Sequence, residues 1–381
     1  MTDTVQSIRL FDVAVSSKTQ WLFLEIAAAS GLVGFGEASL QGREAAVHRA
    51  GERIAPTLLG LFAGPQATPG TPGTLEDAAF LSAVDQALHD IEAQRRGRRL
   101  ADYLGGPRRD EVALYANINR RTVDRSPADF AWSARLAVAA GFTAVKLAPF
   151  DEVDNPARRE DRIVETMRPG IERVAAVADA IGPDCELMVD CHWRFDEPAA
   201  PALVDSMRKL GVRWLECPLP ETQETIPALR RIRARANNAG MRLAGCEELI
   251  GVEQNRAFAE AGAYDVMMPD VKYAGGVGEM MRLAELFERC GVAYAPHNPS
   301  GPIAHAASLH VCAAVAHLDR LEVQFGESDL FWRLTDPALP RFEAGRSGLP
   351  AGPGLGVALA GEALRETSRL LGEWTLSQVT S

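Results

Sequence analysis

From about residue 110 onward the chain has a regular rhythm. Short apolar runs at 112–115, 144–147, 186–189, 213–216, 242–245, 265–268, 292–295 and 321–324 are separated by stretches of helical periodicity. Such stretches include 128–140, 171–180, 201–210 and 278–290. A parallel strand needs a long crossover before its neighbour, usually a helix, so this alternation predicts a parallel sheet. Eight strand–helix units close into a (β/α)8 barrel.

The first part of the chain follows another pattern. Apolar, strand-like runs at 8–15 and 21–26 flank the polar segment 16–20, and glycines at 31, 34 and 36 lead to Gly36-Glu37-Ala38. Helical patterns then occupy 43–60 and 75–104, separated by a stretch at 64–73 too rich in Gly and Pro for helix or strand. Strands followed by helices predict a small α+β domain. The tail is rich in Gly and Pro as far as 356, and a short final helix is expected to end near Trp374 and pack back on the N-terminal domain. The expected division is therefore 1–110, a barrel over 111–335, and a tail over 336–381.

Bulk properties narrow the function. A formal net charge of -11 argues against a nucleic-acid surface but leaves room for a small anionic substrate in a locally positive site. No apolar run is long enough to cross a bilayer, and Met1-Thr2-Asp3-Thr4 does not begin a secretory leader, so a cytoplasmic location is expected. The six cysteines are scattered without a CxxC and read as small buried thiols in a reducing compartment.

Catalytic groups in such a barrel sit where strands end. Those ends carry Lys146, Asp190, His192, Glu216, Glu247, Asp270, His297 and Glu322. Asp190 and His192 are two apart at a strand exit and so share a face, which suits a metal ligand beside a proton donor. Asp190, Glu216 and Glu247 come from consecutive strands, and three clustered carboxylates call for a hard divalent cation, with all-oxygen ligation favouring Mg2+. Glu248 rivals Glu247 at this stage. Asp270 can fix the tautomer of His297, making that histidine a candidate general base. Lys146 is a fixed positive charge suited to a developing oxyanion. His305, His310 and His317 fall on a helical stretch and read as structural, as do His48 and His89.

As a set, Val189-Asp190, Trp214-Leu215-Glu216-Cys217-Pro218, Gly245-Cys246-Glu247, Met268-Pro269-Asp270 with Gly275-Gly276, and Ala295-Pro296-His297-Asn298-Pro299 resemble the mandelate racemase subgroup of the enolase superfamily. The resemblance covers nearly the whole chain. It implies a (β/α)7β-type modified TIM barrel with an N-terminal α+β capping domain, and homo-oligomers are usual in the family. It also implies Asp190, Glu216 and Glu247 as Mg2+ ligands, Asp270–His297 as a base dyad, and Glu322, with Glu327 as the weaker candidate, at the substrate carboxylate.

Departures from the family pattern point to the reaction. Racemases of the family carry Lys-x-Lys on the second strand, whereas this chain has Lys146-Leu147-Ala148. His192 matches the Asp-x-His of the galactonate-type acid-sugar dehydratases, where the histidine protonates the leaving hydroxyl. The expected activity is Mg2+-dependent dehydration of an aldonate or aldarate to a 2-keto-3-deoxy acid. The alternative is an epimerase, racemase or cycloisomerase working through the same enediolate. Lys146, Arg194, His297 and Glu322 are the expected substrate contacts, and Tyr115, Asn117 and Asn119 are further candidates for hydroxyl groups.

Overall fold

The computed structural model describes residues 3–67, 72–153 and 163–379. Residues 68–71 of the Gly- and Pro-rich stretch lie outside the described residues. Three antiparallel strands open the chain, β1 (Val5–Ala14), β2 (Gln20–Ala28) and β3 (Val33–Glu37). Alternation along β1 and β2 turns Ile8, Leu10, Leu22, Leu24 and Ile26 into one buried cluster with helices α1 (Glu44–Leu58) and α2 (Leu75–Arg95). The Thr74 side chain caps α2 by accepting from Asp77 N, and Glu76 and Asp77 lie in its first turn. A Cβ on Gly34 or Gly36 would come within 2.1 or 1.9 Å of a carbonyl oxygen of α2, so glycine is what lets this helix lie directly on β3.

The tail corrects one expectation. Residues Ser368–Thr375 form a strand, pairing antiparallel with β1 from Ser7↔Thr375 to Val13↔Ser368. The short helix near Trp374 comes after it, at Leu376–Val379. The open edge of β1 offers a backbone ladder, broken only by a register shift between Leu10 and Phe11, which outweighs local helical preference. Trp374 meets Phe80 of α2 edge-on, with ring centroids 6.1 Å apart.

All eight barrel strands appear where the apolar runs predict them. They are β4 (Glu111–Asn117), β5 (Ala144–Leu147), β6 (Glu186–Asp190), β7 (Trp214–Glu216), β8 (Arg242–Gly245), β9 (Val266–Met267), β10 (Ala293–Tyr294) and β11 (Leu321–Gln324). They pair in parallel along the path β10-β9-β8-β7-β6-β5-β4-β11. Backbone bonds from Asp319 N to Tyr294 O (2.8 Å) and from Glu322 N to Pro296 O (3.3 Å) bridge β10 and β11. Helices cover the outside, and Tyr115, Met188, Trp214, Val266 and Met268 fill the interior as packed layers. Tyr115 is therefore fully buried beneath the rim and is not a hydroxyl contact. His317 lies beyond the helix Pro302–Ala314 that carries His305 and His310.

The small N-terminal sheet and its helices sit over the barrel mouth through polar contacts. The buried Glu37 carboxylate accepts from Gly301 N (2.8 Å) and Ala304 N (2.9 Å) at the start of helix Pro302–Ala314, where the helix dipole favours an anion. Gly276, at φ +81°, leaves room for Asp85 of α2, whose carboxylate would lie 2.3 Å from a Cβ there.

Candidate active site

The C-terminal ends of β6, β7 and β8 carry the acids. Register pairs Asp190 with Glu216 and Glu216 with Ala244, which brings Glu247, just beyond β8, to the same level. One carboxylate oxygen from each of Asp190, Glu216 and Glu247 lies within 4.8 Å of the others, and all three residues are buried. Sharp turns aim them. His192, Trp193, Cys217 and Cys246 all have positive φ, between 43° and 73°. For side chains other than glycine such backbone costs of order 1–3 kcal/mol each, and its concentration at three adjoining strand ends marks a functional rim. Glu221 steadies two of the turns: its Oε1 accepts from Cys246 N (2.6 Å) and Tyr264 OH (2.8 Å), and the Cys217 thiol lies 3.8 Å away.

Electrostatics show what the cluster could hold. Burial, with Asp190 and Glu322 nearby, pushes the Glu216 carboxyl up to about 8 despite the Lys146 ammonium 2.5 Å away. Burial and the same crowding raise Glu247 well above the usual carboxylate range. Burial also acts against ionisation of Asp190, but the adjacent His192 and Lys146 outweigh it and hold that carboxyl low. Glu247 Oε2 is buried without a hydrogen-bond partner. Three crowded carboxylates with an orphaned oxygen fit a hard divalent cation. Glu248 lines the cavity but is outside this triad.

Lys146 is fully buried and bridges Glu216 and Glu322, the second at 3.0 Å. Glu322 also accepts from Asn117 Nδ2 (2.6 Å) and Asn298 N (3.2 Å). Trp214 Nε1 donates to Glu216 Oε2 at 2.8 Å. Lys146, Glu216, Glu322 and Trp214 form a layer beneath the cavity. Glu327 lies elsewhere, accepting from Ser16 Oγ at 2.9 Å.

His297 Nδ1 is 2.7 Å from Asp270 Oδ2, and its Nε2 is 3.6 Å from Glu247 Oε1. Asp270 accepts from Lys272 N (2.7 Å) and Lys272 Nζ (2.8 Å), and that ammonium also donates to Ser300 Oγ. Burial disfavours the Asp270 anion, but Lys272 and His297 overcompensate and hold its carboxyl below the usual range. Lys272 was not among the sequence candidates. Its place two residues after Asp270, on the same strand exit, was the available signal.

His192 Nε2 lies 2.8 Å from Asp190 Oδ2. Burial disfavours its cation, but Asp190 wins and holds the imidazole above its ordinary range. The strand ends at Asp190, so His192 reaches Asp190 through the left-handed turn rather than by strand alternation. Arg194 is turned away: its Nη1 donates to the carbonyls of Val153 (3.0 Å) and Asp151 (3.2 Å). The cavity above the rim holds about 410 Å³; its wall includes Asp190, His192, Glu247 and His297 from the barrel and Lys18 and Arg43 from the N-terminal part. Asn117 and Asn119 also line it.

Residues 129–363 match the family described as enolase C-terminal domain-like, and residues 4–105 match the mandelate racemase/muconate lactonizing enzyme N-terminal domain. The chain belongs to the mandelate racemase subgroup of the enolase superfamily. It is similar to a D-galactonate dehydratase of Ralstonia pickettii strain 12J, at 29% identity over 93% of both chains. A D-galactonate dehydratase of Verminephrobacter eiseniae is 32% identical over 77% of this chain and 75% of that one. A D-gluconate dehydratase of Thermoproteus tenax is 34% identical, over 75% of this chain and about half (55%) of that protein's length. The fold matches a solved member of the enolase superfamily from Salmonella Typhimurium, with a TM-score of 0.84 at 22% identity, covering 98% of this chain and 99% of that one.

Proposed function

We propose that the protein is a Mg2+-dependent sugar-acid dehydratase, converting an aldonate or aldarate to a 2-keto-3-deoxy acid. One observation carries this reading. Along the sheet path the three carboxylates occupy β6 to β8, and a histidine flanks them on either side, His192 after β6 beside Asp190 and His297 after β10, 3.6 Å from Glu247. One histidine can take a proton while the other gives one. The names of the relatives support the choice of substrate class.

Asp190, Glu216 and Glu247 would hold the cation. A bound Mg2+ would neutralise charge as it builds on the substrate carboxylate. His297 Nε2 removes the proton α to that carboxylate, while Asp270 keeps the Nδ1–H in place. Lys146 does not line the cavity; it contributes through the positive charge it sets beneath the ligands, with Glu322 held beside it. His192 gives its proton to the 3-hydroxyl, which leaves as water, and the enol becomes the keto acid. Ala148 supplies no second base at the β5 end, which favours elimination over racemisation.

The test is a panel of mono- and diacid sugars incubated with Mg2+, read by semicarbazide trapping and NMR. A 2-keto-3-deoxy product is expected. Isomers of unchanged mass, or no turnover across the panel, would overturn the reading.

A further inference from the structure

A second cavity, of about 380 Å³, adjoins the first, and Gln324 at the end of β11 belongs to both walls. Phe331, Trp332 and Phe342 form an aromatic side of this chamber. Four polar atoms on its lining residues are buried without a hydrogen-bond partner: Trp21 Nε1, Arg121 Nε, Gln324 Oε1 and Glu327 Oε2. Trp21 is 3% exposed, Gln324 8%, and the Glu327 side chain 4%. Glu327 has Arg120 3.7 Å away, beyond hydrogen-bond reach.

Bare buried donors and acceptors are costly, and three such atoms around one cavity, with Glu327 Oε2 held only by its ion pair to Arg120, call for an occupant. Two are N–H donors that need an acceptor, and two are oxygens that need a donor. A hydroxyl group serves both kinds, and aromatic rings suit the C–H faces of a polyol chain. The substrate carboxylate would stay at the metal cluster, and the rest of the chain would pass Gln324.

We infer that this chamber receives the distal hydroxyls of the substrate, so that five- and six-carbon sugar acids are preferred over four-carbon ones. This rests on the sugar-acid reading above. The test separates the two. Binding of threonate, xylonate, gluconate and galactonate is measured by calorimetry with Mg2+ on the His297→Asn protein, and turnover on the protein with His297 intact. Trp21→Phe deletes one donor with little loss of volume, and Arg121→Met deletes the other; thermal unfolding confirms that each folds. Each variant is expected to weaken six-carbon binding about three- to tenfold, the worth of one hydrogen bond, and to leave threonate within about twofold. Equal losses at every length, no loss, or no binding at any length overturns the chamber's role. Length-dependent binding without turnover upholds the chamber and overturns the dehydratase reading. Turnover with a flat length profile does the reverse.

Discussion

The two histidines of the cavity wall are held in opposite ways. His297 is 12% exposed and locked: Asp270 grips its Nδ1, and Lys272 grips Asp270 through both backbone and side chain. His192 is 46% exposed, stands on a left-handed turn, and leans on Asp190, itself a proposed metal ligand. The proposed base is held by protein groups alone, whereas the proposed acid's partner would be shared with a cation. A base must meet one fixed C–H bond, so its geometry gains from rigidity. A proton donor to a leaving hydroxyl acts later and can be set by what binds first.

The largest effects test this division directly. His297→Asn is expected to abolish α-proton exchange in deuterated water and dehydration together, by about 10²–10⁴-fold or more. His192→Asn is expected to slow dehydration by about 10²-fold while exchange survives, because only the second proton transfer is lost. Exchange that persists in the first variant removes His297 as the base. Dehydration that is unchanged in the second removes His192 from the reaction.

The two sides also differ in how far they can be read from residues alone. The eight strands are legible because each is a short apolar run bounded by helical periodicity, and the rim acids follow from where those runs stop. What lies outside the period is not legible. His192 reads as a strand neighbour of Asp190, yet the contact depends on consecutive left-handed residues that no spacing rule encodes. Glu221 is a single charged residue in a loop, and only the fold reveals that it steadies the Cys246 turn; for Lys272 the spacing from Asp270 was the one available signal. Arg194 reads as a substrate contact, but its Nη1 is taken up by carbonyls of the β5 loop. The tail strand is hidden because its ladder partner, β1, lies at the other end of the chain.

A smaller effect probes the lock itself. Lys272→Met removes the ammonium from Asp270 and Ser300 while keeping most of the stem. Partners that orient a catalytic histidine's carboxylate are worth about 10- to 100-fold in activity. The expected result is a fall in kcat and in exchange rate of that size, with KM and Mg2+ affinity within about threefold. Unchanged exchange would mean that Asp270 alone fixes His297, and the contrast with His192 would weaken.

The smallest effect concerns acid. His305, behind the His297 loop, is fully buried, and burial lowers its imidazole to about 3. Its Nδ1 lies 2.9 Å from Asn298 Nδ2, and the same amide nitrogen donates to Glu322 O at 3.0 Å. The neutral ring thus accepts from Asn298, the residue next to His297. In the unfolded chain this histidine takes up a proton near its ordinary value of about 6.5, and in the folded chain only near 3. Its contribution is complete above about pH 6.5 and is lost at about 1.4 kcal/mol per pH unit as acid is added, down to about pH 3. His305→Gln keeps a side-chain oxygen for Asn298 but cannot titrate. Urea unfolding between pH 6.5 and 4.5 is expected to show a pH slope shallower by about that amount in the variant. An identical slope would place the acid sensitivity elsewhere and leave the base loop without this support.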